Sequence, residues 1–247
     1  MAVPYGIPIL LYHRLGRPQG RSIVGGQYVS AGLFRKHMNY LVKAGYRSVS
    51  LTQVVGYMRK GVLRTPKPVA ITFDDGYLSL YEHALPVLCE CGLSATVFLT
   101  TDFVGKTNEW EQAVSDVCEP MLGIRQIEEM VASGIEMGSH TCGHVHLAGV
   151  SRSQAWREIA ASKHRLEDML GRPCLWFAYP YGEYTPEVRD LVDAAGYEGA
   201  CSTLRVANRP GGDPFKIGRI NVRRYNWVPR LRLKLWRAQR VGGRRSG

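Results

Sequence analysis

Two short clusters of ionisable side chains contain residue types that bind metal ions. Asp74 and Asp75 follow the apolar stretch 69–73, and three residues separate His140 from His144. Carboxylates at the end of a buried strand are costly to desolvate unless they bind a metal, pair with a cation or do chemistry. One carboxylate and two imidazoles form a ligand set for a catalytic divalent ion, which leaves one carboxylate for proton transfer. The pattern therefore predicts a metal-dependent hydrolase.

The same residues also have structural interpretations. The Asp74-Asp75-Gly76 segment is typical of a turn, and the two histidines could form the polar start of a helix. From the residues alone, the roles of ligand and base could be exchanged between the two aspartates. His146 continues the spacing of the histidines, and we interpret it as a loop residue instead of a fourth ligand.

Strand and helix patterns alternate along most of the chain. Seven segments are predicted to be strands: 7–13, 46–51, 69–73, 95–100, 135–139, 175–179 and 199–203. Repeated units of this size predict a parallel sheet, and about seven of them predict a closed or nearly closed α/β barrel. In such barrels active sites gather at the C-terminal ends of the strands, where the candidate residues lie: His13, Asp74, Asp75, His140 and Pro180.

Helix starts are marked by capping residues. Ser30 precedes one apolar helical pattern, and Ser151 precedes another that ends at Gly171. Thr185 followed by Pro186 predicts the start of a third helix, which ends near Gly196.

Length and composition favour one globular domain. The 247 residues are 45% apolar, which is enough for a full core. No apolar run approaches the roughly 18 residues of a membrane span. The apolar segment 1–11 lacks the basic region and cleavage site of a signal peptide, so we interpret it as part of the fold. Six cysteines without a CxxC pair are consistent with a reducing compartment and a cytoplasmic protein.

The formal net charge is +11, and much of the excess lies between residues 223 and 245. Within that region, segment 229–237 alternates apolar and basic residues, and as a helix its leucines would spread around the axis. We therefore predict a catalytic domain over 1–228 and a disordered or loosely docked basic tail over 229–247. The tail could give weak peripheral contact with an anionic membrane or polymer, whereas nucleic acid is not an expected partner.

Three motifs, in order, resemble those of the polysaccharide deacetylases, the NodB-like carbohydrate esterases of family 4. They are Thr-Phe-Asp-Asp-Gly at 72–76, His-Thr-Cys-Gly-His at 140–144 and Phe-Ala-Tyr-Pro-Tyr-Gly at 177–182. The resemblance covers roughly residues 7–222 and implies a distorted (β/α)7-8 barrel. Further segments resemble the subgroup that deacetylates poly-N-acetylglucosamine: 8–13, 105–110 and 208–214.

Two departures from the family pattern affect the expected site. Ala178 stands where the third motif usually has an arginine, and Arg219 could partly replace that charge. The usual Leu-x-His near the carboxyl terminus is missing, but Leu11-Tyr12-His13 has this pattern at the end of the first predicted strand. First and last strands are neighbours in a closed barrel, so the resemblance implies a circularly permuted arrangement that places His13 in the same mouth.

The resemblance implies a role for each main residue. Asp75, His140 and His144 would bind the divalent ion, for which zinc is the first expectation and cobalt, nickel or iron are alternatives. Asp74 would act as general base, and His13 would protonate the departing amine. A hydrogen-bonded structural histidine at the strand end is the alternative for His13.

The remaining candidates would contact the substrate. The backbone N–H of Tyr181 is the expected donor to the oxyanion, because Pro180 has no N–H. Tyr179 and Tyr181 could line the acetyl pocket, with core packing as the alternative for Tyr179. Trp110 could stack on a sugar ring or anchor a long loop.

These expectations describe a hydrolase that removes N-acetyl groups from an N-acetylated glycan of the N-acetylglucosamine type and releases acetate. One alternative is an amide hydrolase of the same superfamily that acts on a small cyclic amide or a lipid-linked sugar. Another is a catalytically silent glycan-binding barrel. Asp74 and His13 argue against silence, because binding alone requires neither of them.

Overall fold

The computed structural model describes residues 6–18, 22–110, 117–204 and 207–240, and its centre is a curled sheet of parallel strands. The strands are β1 (Ile9–Tyr12), β2 (Arg14–Leu15), β3 (Tyr28–Val29), β4 (Arg47–Ser48), β5 (Pro68–Phe73), β6 (Thr96–Leu99), β7 (Glu136–Ser139), β8 (Trp176–Ala178), β9 (Gly199–Cys201) and β10 (Ile220–Asn221). The helices are α1 (Ala31–Lys43), α2 (Leu51–Lys60), α3 (Leu85–Cys91), α4 (Ile124–Ala132), α5 (Arg152–Leu170), α6 (Pro186–Ala194) and α7 (Val228–Arg240).

The main sheet has the strand order β10-β1-β5-β6-β7-β8-β9, with β4 paired to β5 outside this path. Backbone bonds close the ring, because Ile217 N–H donates to Ala200 O at 2.9 Å and Ser202 N–H donates to Ile217 O at 2.8 Å. Segment 217–221 thereby joins β9 to β1. The predicted distorted (β/α) barrel is confirmed, and each of the seven predicted strands is present. The short β2–β3 pair and β10 were not predicted.

The first strand lies between the last strand and β5. Leu10 is in register with Ile220 on one side and with Ile71 on the other. Because all three strands run parallel, the residues that follow β1 and β5 reach the same end of the barrel. His13, Asp74 and Asp75 therefore share one mouth, as the permuted arrangement requires.

The predicted helix starts are confirmed by their caps. The side chains of Ser30, Ser151 and Thr185 accept hydrogen bonds from backbone N–H groups three residues later. Such caps satisfy donors that have no partner within the helix. Gly171 ends α5 with φ of +62°, a left-handed conformation that glycine adopts without strain.

Apolar side chains pack on both faces of the sheet. Neighbouring residues of a strand point to opposite faces, so Leu10 joins the core beneath α1 while Ile9 joins a second cluster. That second cluster combines Phe98 and Trp176 with residues of α2 such as Val55. Because apolar side chains pack on both faces, the strands are held rigidly and fix the positions of the loops at their ends.

The basic segment after residue 228 forms a docked helix, which differs from the expected loose tail. Leu231 and Leu235 of α7 are fully buried, and the Lys234 ammonium donates to Asn221 O at 2.6 Å. Leucines four residues apart lie on one helix face, so two of them suffice to attach the helix. In the sequence, apolar and basic residues alternate here, so the helical spacing of these two leucines is not apparent. Residues 241–247 of the predicted tail lie outside the described residues. Among the described helices, none has the length and apolar character needed to cross a bilayer.

Candidate metal and active site

Three buried side chains point their ligand atoms at one another in the mouth of the barrel. Asp75 Oδ1 lies 3.4 Å from His140 Nε2 and 3.3 Å from His144 Nε2. The ligand atoms of all three residues lie within 4.8 Å of one another. Tetrahedral ligands at about 2.0–2.2 Å from a zinc ion are separated by roughly 3.3–3.6 Å. The donor set and its spacing therefore fit a divalent ion.

His140, which follows β7, is oriented by a backbone carbonyl. Its Nδ1–H donates to Ala178 O at 2.7 Å, which leaves Nε2 to face Asp75. Metal-binding histidines characteristically donate their second ring N–H in this way, which fixes the tautomer and the ring orientation. The backbone at the end of β8 thus contributes to the site, although the Ala178 side chain carries no charge.

His144 is held at the end of a strained turn. Thr141 has φ of +68° and His144 has φ of +57°, in the left-handed region that costs energy for residues with a Cβ. Thr141 Oγ1 accepts the His144 N–H at 3.0 Å. The Glu158 carboxylate accepts the N–H groups of Cys142 and Gly143 at 3.0 and 2.8 Å. These bonds offset the strain and fix the direction of His144.

Aromatic rings surround the His144 imidazole. Trp110 stacks on it with ring centroids 4.8 Å apart, and Tyr181 meets it edge to face at 4.7 Å. The Tyr181 hydroxyl oxygen lies 3.2 Å from His144 Nδ1 and can accept a hydrogen bond from its N–H. This bond leaves Nε2 for the ion, as the Ala178 carbonyl does for His140.

The turn after β5 separates the two carboxylates. Asp75 has φ of +73°, and Asp74 N–H donates to Tyr12 O at 3.0 Å. Burial raises the pKa of Asp75, but hydrogen bonds and charges from His140 and His144 outweigh it and hold the pKa well below its usual range. Asp75 is therefore ionised, as a metal ligand must be.

Asp74 forms a buried, two-pronged ion pair with Arg219. Arg219 Nη1 lies 2.6 Å from Asp74 Oδ1, and Nη2 lies 2.8 Å from Oδ2. Arg219 Nε also donates to Ser202 O at 3.0 Å, which fixes the guanidinium. Burial raises the pKa of Asp74, but Arg219 and then His140 outweigh it, so the pKa lies below its usual value. Arg219 thus places a positive charge on this carboxylate, whereas the Ala178 side chain carries none.

His13 lies among the same charged groups. Burial lowers its pKa, and the charges of Asp75, Asp74, Arg219 and His140 all act on it. Among the described residues, its buried Nδ1 has no hydrogen-bond partner. The role of His13 as general acid stays a prediction.

The third motif places one tyrosine in the core and one at the surface. Tyr179 is fully buried, and its hydroxyl donates to Phe215 O at 3.1 Å. Core packing, the alternative stated for this side chain, thus describes its position. Pro180 is buried in the turn that follows, whereas Tyr181 has φ of +59° and is 46% exposed.

Exposed His146 is outside the metal cluster. Its ring stacks in parallel on Tyr181 with centroids 3.6 Å apart, and its Nδ1 lies 3.2 Å from Glu183 Oε2. It is a loop residue, as predicted. Trp110 is half-buried and packs against Phe103 as well as His144, so it covers one flank of the site.

Several supporting residues were not predicted from the sequence. Glu158 lies on α5, away from the motifs in the sequence, and Ala178 contacts His140 through its backbone carbonyl. Neither contact can be recognised from a local sequence pattern. Arg14 is buried next to His13 and donates to the hydroxyl groups of Tyr28 and Tyr77. The position of Arg14, directly after the candidate catalytic His13, is the one signal for it in the sequence.

The comparisons with known proteins agree with this geometry. The family model described as polysaccharide deacetylase matches residues 62–200. The protein YxkH of Bacillus subtilis, named as a polysaccharide deacetylase, is 30% identical over 220 residues, which are 89% of this chain and 72% of that protein. A poly-β-1,6-N-acetyl-D-glucosamine N-deacetylase of Staphylococcus epidermidis is 28% identical over 76% of this chain and 66% of its own length. The chain thus spans about two thirds to three quarters of these relatives.

Solved structures give the same result. IcaB from Ammonifex degensii has a TM-score of 0.80 and 30% identity, over 94% of this chain and 97% of that one. The deacetylase PplD of Streptococcus pyogenes also has a TM-score of 0.80, with 23% identity over 94% and 99% of the two chains, which supports the fold. With a family model that covers more than half of its residues and a relative at 30% identity, the chain belongs to the polysaccharide deacetylase family.

Proposed function

We propose that this protein is a metal-dependent N-deacetylase of a glycan containing N-acetylglucosamine, from which it releases acetate. The observation that carries the proposal is the separation of two adjacent carboxylates in one buried mouth. Asp75 faces two histidines, whereas Asp74 is held by Arg219. The relatives named as poly-β-1,6-N-acetyl-D-glucosamine N-deacetylases support this substrate class.

Asp75, His140 and His144 would hold the ion. Zinc suits one oxygen and two nitrogen donors, and the same donors also suit cobalt, nickel or iron. When bound, a divalent ion in such a site polarises an amide carbonyl and lowers the pKa of a water. The Ala178 carbonyl and the Tyr181 hydroxyl keep both imidazoles in the tautomer that ligation requires.

Asp74 takes the proton of the attacking water. Arg219 keeps the carboxylate ionised at neutral pH, because it holds the pKa of Asp74 below its usual value. The two-pronged bond also fixes the plane of the carboxylate, so that its remaining lone pairs have a defined direction. The ion pair with Arg219 makes the Asp74 carboxylate less basic, but it fixes the orientation and the charge of that carboxylate.

His13 donates a proton to the departing nitrogen. Hydrolysis breaks the bond between the acetyl carbon and the sugar nitrogen, and the nitrogen leaves as an amine only after it gains a proton. Burial lowers the pKa of His13 below its usual value, and the charges of Asp75 and Asp74 act in the opposite direction and favour its protonated form. The backbone N–H of Tyr181 is the proposed donor to the oxyanion, with Pro180 setting the turn that carries it.

Acetate release from oligomers of β-1,6-linked N-acetylglucosamine tests this function. The protein would be stripped with a chelator and then restored with zinc, cobalt or nickel. We expect activity only after restoration, and weaker activity on N-acetylated cyclic amides of similar size. Metal binding without acetate release from any glycan would favour the silent glycan-binding barrel. Preference for a small or lipid-linked amide would favour the related hydrolase.

A further inference from the structure

The excess of positive over negative charge lies in the last segment of the chain. Eleven of the 32 Lys and Arg residues follow Asp213, whereas all 21 Asp and Glu residues lie at or before it. Residues 1–213 therefore carry 21 charges of each sign and no net charge. The whole formal charge of +11 resides after Asp213, so this segment attracts anionic partners.

Helix α7 displays much of this charge beside large apolar side chains. With Leu231 and Leu235 buried, its outer face is formed by Arg230, Arg232, Leu233, Trp236 and Arg237, and Trp227 directly precedes the helix; all six are exposed. We call these six residues the α7 outer face. Trp227 is 72% exposed, Trp236 is 48% exposed and Leu233 is 43% exposed. Leu233 and Trp236 are three positions apart and lie side by side on the helix.

We propose that the α7 outer face binds an anionic lipid bilayer, with α7 lying along the membrane surface. Tryptophan is favoured at the membrane interface, where its ring is apolar and its N–H stays hydrated. Arginines beside it would meet anionic head groups, and each adds to binding. This combination of an apolar stripe and flanking cations characterises helices that lie in the interface.

The apolar residues distinguish a bilayer from a soluble polyanion. A polymer such as an acidic polysaccharide would be bound by the arginines alone and would give Leu233 no favourable environment. Helix periodicity places Leu233 and Trp236 on the side opposite to the buried leucines, and both side chains are exposed. Burial of these exposed apolar side chains in a lipid surface would be energetically favourable.

The start of α7 lies at the mouth end of the barrel. β10 runs parallel to β1, so the segment after β10, which leads to Trp227, reaches the same end as His13. Arg224 N–H donates to Gly26 O at 3.1 Å, which ties that segment to the loop before β3. The last turn of α7 lies toward the opposite end of the barrel, where Arg209 Nη2 donates to Gln239 O at 3.4 Å, so the helix runs along the side of the barrel. This inference does not depend on the reaction proposed above.

Flotation with lipid vesicles tests the proposal in the whole protein. The vesicles would contain phosphatidylcholine alone or with about 30% phosphatidylglycerol, in about 0.1 M and about 0.5 M NaCl. One variant, Arg232→Gln/Arg237→Gln, removes two charges from the face. A second, Leu233→Ser/Trp236→Ser, removes its apolar part and leaves the charge unchanged. The control, Arg157→Gln/Arg172→Gln, removes two exposed charges from α5 and the loop after it.

We expect binding only to the anionic vesicles, and both face variants should bind roughly tenfold more weakly than the control. Circular dichroism and the melting temperature should match the original protein, since the changed residues are exposed. Equal binding by the face variants and the control would overturn the proposal. A second result would also overturn it: weaker vesicle binding by the arginine variant together with full binding by Leu233→Ser/Trp236→Ser. Such a result would show that only charge is recognised, as in a contact with a soluble polyanion.

Discussion

Arg219 and Asp74 are separated by 145 positions in the chain, yet both Nη atoms of the guanidinium bind the two oxygens of the carboxylate. Arg219 lies immediately before β10, and Asp74 immediately follows β5. With β1 between these two strands, the closure of the barrel brings the pair together. The positive charge that the family usually places at position 178 thus reaches the same carboxylate from another strand.

Replacing Arg219 should change the pH dependence of the reaction. In Arg219→Lys the two-pronged bond is lost, so the pKa of Asp74 should rise toward its ordinary value as the cation moves away. The acid limb of kcat/KM should then shift to higher pH, and the rate at neutral pH should fall about 10–100-fold. An unchanged acid limb would show that Arg219 does not control the ionisation of the base.

The matched control is Arg189→Lys. Arg189 also contacts carboxylates, those of Asp190, Asp193 and Asp213, but these are outside the metal cluster. Its replacement should leave the pH profile in place. A shift of the same size in both variants would indicate a general effect on the fold.

His13→Ala should separate substrates by their leaving groups. A general acid matters most when the leaving group is basic, so hydrolysis of an acetamide should fall by about 10²–10⁴, while an activated acetyl ester should lose much less. Metal content should remain unchanged because His13 is not among the ligands. Equal losses on both substrates would remove His13 from the role of general acid.

The Tyr181 hydroxyl should affect metal affinity. Tyr181→Phe keeps the ring that meets His144 edge to face and stacks on His146, but removes the bond to His144 Nδ1. Loss of such an outer contact typically weakens metal binding about 10–100-fold, which competition with a zinc-binding dye would measure. Tyr184→Phe, in a ring that stacks on Tyr179, is the control and should bind zinc normally. Equal affinities for the two variants would contradict the role given to this hydroxyl.

The sequence was informative where neighbouring residues carry the signal. Adjacent carboxylates, two histidines in one turn and caps such as Ser30 are local patterns, and each lies where it was predicted. The Arg219–Asp74 pair and the Ala178 carbonyl depend on strand neighbours, which no local pattern specifies. The attachment of α7 was missed for a related reason. Alternating apolar residues fit a strand as well as a helix, and only contact with α1 and β10 selects the helix.

Buried His37 should make stability depend on pH. Its Nε2 lies 2.6 Å from Asn226 O and its Nδ1 lies 3.0 Å from the Tyr12 hydroxyl, an arrangement that suits the neutral ring. Burial lowers the pKa of His37 to about 4, whereas the unfolded chain has a value of about 6.5. Below pH 6.5 the unfolded state gains a proton that the folded state does not. The free energy of unfolding should therefore fall as the pH drops toward 4, by up to about 3 kcal/mol.

Urea denaturation of the metal-free protein at about pH 7 and about pH 4.5 measures this loss. In His37→Gln the amide can donate to Asn226 O and cannot titrate, so its stability should fall less over the same interval. The comparison cancels the other titrating groups, which both proteins share. Identical losses in the two proteins would assign the effect to groups other than His37.

The central claim is that adjacent carboxylates have different tasks, and a paired substitution tests it most directly. Asp74→Asn and Asp75→Asn would be purified in parallel, and zinc content and acetate release would be measured on the same samples. We expect Asp74→Asn to retain zinc and lose activity by about 10²–10⁴, because an amide cannot take the proton. Asp75→Asn should lose both zinc and activity. Loss of zinc from Asp74→Asn with retention in Asp75→Asn would contradict the assignment and reverse the two roles.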